Sequence, residues 1–129
     1  MGVSLHEYLQ RAAIVNAEIR KMSVFFDQYD VLLTAATNGP AHVLGKANLD
    51  QNMDFDAFVA MLLELTPFLV PFNASGQLPI TLPGHQTPEG LPIGVKLVSG
   101  FAQDGLLLQL ASQLEGASNW QSVAPMLPS

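Results

Sequence analysis

The sequence predicts an α/β fold, in which helices flank a short mixed sheet that is incomplete on its own. Three segments repeat apolar residues every three or four positions, as one face of a helix does. Between them lie short apolar runs bounded by Gly and Pro, a pattern typical of strands. These strands are few and short for a complete sheet, so we expect part of a larger one.

The first predicted helix begins after Ser4 and ends near Gln28. Ser4 is a candidate N-cap, and Glu7 would complete a capping box. The apolar residues that share one face of this helix are Leu5, Leu9, Ala12, Val15, Ile19, Met22 and Phe26. This face is expected to pack inward, and the opposite, charged face is expected to contact solvent.

A strand is predicted over residues 30–34. Its run Val31-Leu32-Leu33 is apolar throughout rather than alternating, which favours a central strand covered on both faces. Residues 38–54 contain Gly and Pro without a clear period and are predicted to be loop. A second helix should then run from Phe55 to Leu65, because Asp54 can cap it and Pro67 disfavours its continuation.

Two extended segments are predicted over residues 79–83 and 91–98, with a turn at 88–90 between them. A last helix follows, with Asp104 as candidate cap and Gly116 as candidate end. The apolar residues that define it are Leu107, Leu110, Ala111 and Leu114. Residues beyond Trp120 are expected to be irregular.

Composition bounds the class of protein. The 129 residues suit a single domain, and charged residues make up only 12%, so we expect something to cover part of this surface. The net charge of −6 is spread without basic runs, which argues against nucleic acid as a partner. The chain has no cysteine and no signal-peptide pattern, which favours the cytoplasm. Charges and prolines within residues 55–72 argue against a membrane span.

Three ordered segments resemble the C-terminal portion of the amidase signature family. They are residues 26–34 (FDQYDVLLT), residues 66–83 with TPF, PFNASGQ and ITLP, and residues 90–98 (GLPIGVKLV) followed by Asp104 and the Leu-rich helix. The resemblance covers roughly residues 20–120 of the sequence. It implies part of an amidase-type mixed sheet with flanking helices, and a hydrolase that cleaves the C–N bond of carboxamides.

The catalytic machinery that the resemblance implies is missing from this sequence. Family members carry a Gly- and Ser-rich loop with a serine nucleophile and a bridging serine, and an upstream lysine, and no stretch here matches that loop. Lys21, Lys46 and Lys96 have no serine at a motif spacing. We therefore predict no catalytic residue and no activity for the chain alone. Its substrate-binding residues are left open, and a missing N-terminal catalytic portion is the implied partner.

Three kinds of side chain are candidate sites. Ser75 lies in Asn73-Ala74-Ser75, which lacks the full G-x-S-x-G pattern, so a turn is favoured over a nucleophile. His6, His42 and His85 are far apart, which argues against a metal; His85 is expected in an exposed loop, although it could line a pocket. Lys96 interrupts an apolar strand, and we expect it at the sheet margin rather than buried with a partner. Cofactors are not expected.

Two other hypotheses stay open. The first is a self-associating binding or structural module, a homo-oligomer in which the leftover sheet edge and apolar surface pair with a second copy. The second is a complete small hydrolase in which Ser75 or another hydroxyl acts with an unfamiliar partner. Hydrolysis assays and the oligomeric state distinguish these two hypotheses from an inactive amidase segment.

Overall fold

The computed structural model describes residues 2–45, 48, 53–118 and 120. The predicted irregular segment beyond Trp120 and the residue Lys46 lie outside the described residues. The elements in chain order are α1 (Leu5–Ser23), a 3-10 helix (Val24–Asp27), β1 (Val31–Ala35), α2 (Phe55–Leu65), α3 (Val70–Ser75), β2 (Ile80–Gln86), β3 (Pro92–Ser99) and α4 (Asp104–Ala117). The α/β class is confirmed.

The three described strands form one antiparallel sheet in the order β1-β3-β2. Among these three strands the central one is therefore β3, and the prediction that the first strand is central is wrong for the described sheet. Leu33 of β1 is 65% exposed, although it faces Leu97 of β3 across the ladder. An apolar run indicates that a strand can be buried, but it does not give the strand order. Here β3 pairs with β2 in a hairpin and with β1 on its other side, so β3 is the strand with two neighbours.

The β2–β3 hairpin closes where a turn was predicted. The Thr87 amide donates to the Leu91 carbonyl at 2.8 Å, and Gly90 adopts a left-handed φ of 85°. β2 extends beyond its predicted end at Pro83 because a bulge at Gly84 lets the pairing resume at His85. A Cβ at Gly84 would lie 2.8 Å from Val95 Cγ1, so only glycine fits this close approach.

The hydrophobic core lies between α4 and one face of the sheet. Leu82 and Leu97 pack there against Leu107 and Ala111, and all four are buried. Val98, which points to the opposite face, has no exposed surface. The Leu-rich face of α4 therefore forms the helical layer that packs on the sheet.

Helix starts agree with the sequence in two of three cases, and Gly116, the predicted end of the last helix, lies inside α4. Ser4 and Glu7 form the predicted capping box, and Asp54 accepts from the Ala57 amide at 2.8 Å. Asp104 is not a cap: it is the first residue of α4, and Gln103 before it makes no side-chain cap. α3 was not predicted, because it has only six residues, with Pro67 shortly before it and Pro71 in its first turn.

The apolar face of α1 is exposed at its N-terminal end, whereas Ile19 and Met22 toward its C-terminal end are half-buried. α1 contains no buried residue, and it ends at Ser23, with the 3-10 helix continuing to Asp27. Its large apolar side chains that are at least 47% exposed are Leu5, Tyr8, Leu9, Ile14 and Val15. The predicted inward packing of this face is therefore wrong for its N-terminal part among the described residues and holds in part toward the C-terminal end of the helix. None of the described helices is both long and apolar enough to cross a bilayer.

Candidate functional site

A small polar network joins the end of α3 to the end of β3. Gln77 is 9% exposed, and its Nε2 donates to the Ser99 carbonyl at 2.7 Å. Ser75 Oγ lies 3.0 Å from Gln77 Oε1 and 3.1 Å from the Phe72 carbonyl, so its single proton is shared between two acceptors. The network fastens the segment before β2 to the strand at the centre of the sheet.

Ser75 has structural partners rather than catalytic ones. It is the last residue of α3, and Gly76 ends that helix with a left-handed φ of 75°. The favoured turn at residues 73–75 is thus a helix end followed by a glycine cap. A nucleophilic hydroxyl needs a base to take its proton, and here the acceptors of Ser75 are a backbone carbonyl and an amide oxygen.

Lys96 does not lie at the sheet margin. It stands on the central strand β3 between Thr34 and Thr81, is 3% exposed, and donates from Nζ to the Phe68 carbonyl at 3.2 Å. Burial lowers the pKa of the Lys96 ammonium, because leaving water disfavours the charged form. The sequence placed a charge in this strand, but only the pairing order showed that the strand has a neighbour on each side.

Replacing Lys96 by Met is expected to raise the free energy of unfolding by about 1 kcal/mol at neutral pH, because an apolar side chain of similar length costs less to bury. The folded state holds the Lys96 proton less tightly than the unfolded state, whose pKa stays near 10.5. The wild type therefore gains stability as the pH rises from the lowered pKa toward 10.5. The difference in the free energy of unfolding between Lys96→Met and the wild type should shrink over this range. Urea unfolding of both proteins between pH 7 and pH 10 measures the difference in stability at neutral pH and its change with pH.

The matched control for this experiment is Lys21→Met. The Lys21 side chain is 72% exposed and pairs with Glu18, so we expect a change within about 0.5 kcal/mol and no such pH dependence. A gap between wild type and Lys96→Met that stays constant over this pH range would contradict the assignment of a buried, charged Lys96.

The histidines and aspartates do not gather into a site among the described residues. His85 lies within β2 opposite Ile93 and is exposed, so its predicted loop position is wrong. His6 Nε2 lies 2.9 Å from Gln10 Nε2 on the exposed surface of α1. Over residues 2–45, 48, 53–118 and 120, no group of three His, Asp or Glu side chains could hold a metal ion.

A cleft of about 250 Å³ opens beside the Ser75–Gln77 network. It lies between residues 76–78 and the loop from Gly100 to Asp104. Within that loop Ala102 has a φ of 60°, a conformation that costs a non-glycine residue energy. Gln77, the buried polar residue under this cleft, was not predicted as a site residue; its one signal in the sequence is its place in the PFNASGQ segment.

The fold and sequence match known amidases over a limited part of their length. The family model described as Amidase matches residues 2–108. The 6-aminohexanoate-cyclic-dimer hydrolase of Paenarthrobacter ureafaciens is 37% identical over an aligned length of 103 residues, and the match covers 77% of this chain and 21% of that protein. A glutamyl-tRNA(Gln) amidotransferase subunit of Synechococcus sp. (strain CC9902) is 33% identical over 94% of this chain and 23% of its own length.

A solved structure of 6-aminohexanoate cyclic dimer hydrolase superposes with a TM-score of 0.80 and 29% identity. The match covers 92% of this chain and 26% of the enzyme, so the chain spans about a quarter of that protein. These findings confirm the resemblance carried by the three sequence segments. Since the family model also matches most of the sequence, the chain belongs to the amidase family.

Proposed function

We propose that this chain is the sheet-and-helix portion of a carboxamide-cleaving amidase and does not hydrolyse amides by itself. The observation that carries the proposal is that the two side chains with the most catalytic potential, Ser75 and Lys96, both have structural partners. Ser75 is held by the Phe72 carbonyl and Gln77, and Lys96 is buried against the Phe68 carbonyl. Both side chains serve packing and backbone connection.

Amide hydrolysis needs an activated hydroxyl, a base and donors aimed at the developing oxyanion, all within hydrogen-bond reach. The resemblance implies that a Gly- and Ser-rich loop and an upstream lysine supply these groups in an amidase, and no stretch of this sequence matches that loop. A match to about a quarter of the related hydrolase supports the same division of labour. In this proposal the chain contributes strands, a core and part of the wall around a substrate, and a second portion contributes the chemistry. The cytoplasmic location and the absence of a cofactor stay predictions.

The first experiment is hydrolysis of a panel of aryl and aliphatic amides by the purified chain, with Ser75→Ala beside it. We include the 6-aminohexanoate cyclic dimer in the panel because a relative is named for it. We expect turnover at the buffer rate for both proteins. Turnover by the chain that Ser75→Ala abolishes would overturn the proposal and favour a complete small hydrolase.

A second experiment tests the structural role directly. The region of the Paenarthrobacter ureafaciens hydrolase that matches this chain is replaced by the matching part of this chain. If the chain is a compatible portion of an amidase, the chimera should fold and retain measurable hydrolysis of its own substrate. A folded chimera without activity would count against the proposal, and the unmodified hydrolase and its Ser-nucleophile variant give the upper and lower limits.

A further inference from the structure

The loop after β1 contains an Asn-Gly pair that is open to solvent. Asn38 and Gly39 lie in a bend between β1 and α2, outside both elements, and both residues are exposed. Apart from its chain neighbours, a Cβ built at Gly39 would meet no heavy atom within 4 Å, so the space beside its backbone is open as well. Among the described residues, the junction between the two residues is therefore accessible.

Hydrogen bonds hold the backbone around this junction but leave two of its groups unrestrained. The Asn38 amide donates to the Leu65 carbonyl at 3.3 Å, and Thr37 Oγ1 donates to the Gly39 carbonyl at 2.7 Å. Within the described part of the chain, no hydrogen bond involves the Asn38 carboxamide or the Gly39 N–H. The Asn38 side chain and the Gly39 nitrogen are therefore free to approach each other.

We propose that Asn38 deamidates spontaneously through attack by the Gly39 nitrogen. This nitrogen forms a bond to Asn38 Cγ and gives up its proton, the Cγ–Nδ2 bond breaks, and ammonia leaves. Water then opens either C–N bond of the cyclic imide, which gives aspartate or isoaspartate at position 38. Glycine favours the ring closure, because without a Cβ its backbone reaches conformations that other residues rarely adopt. The reaction needs only two neighbouring residues and water, so it does not depend on the proposed function.

Deamidation changes the contact between this loop and α2. It adds a negative charge to a chain whose net charge is already −6. The Asn38 amide contacts Leu65, the last residue of α2, and carbonyl groups at the C-terminal end of a helix carry partial negative charge. Isoaspartate also lengthens the main chain between Thr37 and Gly39, whose hydrogen bond spans the site. We therefore expect the modified chain to unfold at a lower urea concentration than the fresh one.

Peptide mapping measures the reaction directly. Trypsin releases residues 22–46 as a peptide in which Asn38 is the only asparagine, and residues 12–20 as a peptide in which Asn16 is the only one. During incubation of the purified chain in mildly alkaline buffer, the first peptide should gain the mass difference between an acid and its amide and split into two chromatographic peaks. Fragment masses assign the change to residue 38 rather than to Gln28.

Asn16 and a Gly39 variant are the controls for this experiment. Asn16 is also exposed, but it lies within α1 and is followed by alanine, so its peptide should stay unchanged. Gly39→Ala has room for the added Cβ and should fold as the wild type does, but Asn38 should deamidate about tenfold more slowly in it, or slower still. Equal rates for Asn38 and Asn16, or an unchanged rate in Gly39→Ala, would overturn the proposal.

Comparison of the native chain with the chain unfolded in urea tests the structural part of the proposal. Because neither packing nor a described hydrogen bond restrains the reacting groups, the native rate at Asn38 should lie within about threefold of the unfolded rate. A native rate lower by about tenfold or more would show that the fold protects Asn38, and would overturn the proposal. The amide panel reads out the proposed function separately, because deamidation of Asn38 involves no added substrate.

Discussion

Leu97→Ala is expected to lower the free energy of unfolding by about 2–5 kcal/mol, the largest effect of any single truncation proposed for this chain. Leu97 is 3% exposed on the central strand and packs with Leu82, Leu107 and Ala111. Removing its branched end deletes apolar contacts and leaves a cavity that strands on both sides cannot easily fill. Urea unfolding followed by circular dichroism measures the change, with all proteins at one concentration because association adds to stability.

Leu108→Ala is the control for this experiment. Leu108 is the neighbour of the buried Leu107 on α4, but it is 64% exposed, and we expect a change within about 0.5 kcal/mol. Similar losses for Leu97→Ala and Leu108→Ala would show that α4 does not cover the sheet in the way described. A typical domain has a stability of only about 5–15 kcal/mol, so the expected loss is easily resolved.

Gln77→Leu is expected to cost about 2–3 kcal/mol, because it preserves most of the volume but removes a buried hydrogen-bond network. The Ser99 carbonyl would lose its donor at 2.7 Å, and Ser75 would lose the Gln77 oxygen at 3.0 Å. The loss should be accompanied by loosening of the junction between α3 and β2, since the network fastens this junction to β3. Hydrogen exchange at the amides of residues 76–82 would report the loosening directly.

Gln109→Leu is the matched control, since Gln109 is exposed on α4 and no described contact holds its side chain in place. We expect it to leave stability within about 0.5 kcal/mol of the wild type. If Gln77→Leu also left the free energy of unfolding unchanged, the leucine side chain would stabilise the protein as well as the hydrogen-bond network does. Gln77 would then not be the residue that fastens the sheet to the segment before it.

Sequence-based predictions were correct where the interacting residues are close neighbours in the chain. The capping box at Ser4 and the Asp54 cap are pairings over three residues, and both are confirmed. α2 has its predicted bounds, Phe55–Leu65, because its cap and the proline after it lie in the same short stretch. Asp104 failed as a cap because a suitable residue type does not fix where a helix begins, and the turn at Ala102 shifts the start of α4.

Long-range placement was where the sequence misled. β1 was expected to be central and Lys96 marginal, and the positions are the reverse: β1 is the edge, and Lys96 stands on β3. Both errors have one cause, since the apolarity of a strand does not reveal how many neighbours it has. The network around Gln77 was missed for the same reason, because its partner Ser99 is 22 residues away.

The sequence alone determined the amidase family, the α/β class, two of the three helix caps and the hairpin turn, because each follows from contacts among neighbours or from ordered motifs. Only the tertiary structure decided the order β1-β3-β2, the burial of Lys96 and the exposure of Leu33. Strand order depends on pairings between residues more than 60 positions apart, such as Leu33 with Leu97, and on which face α4 covers. Such pairings arise from the competition among all strands for backbone partners, which no single segment of the sequence records.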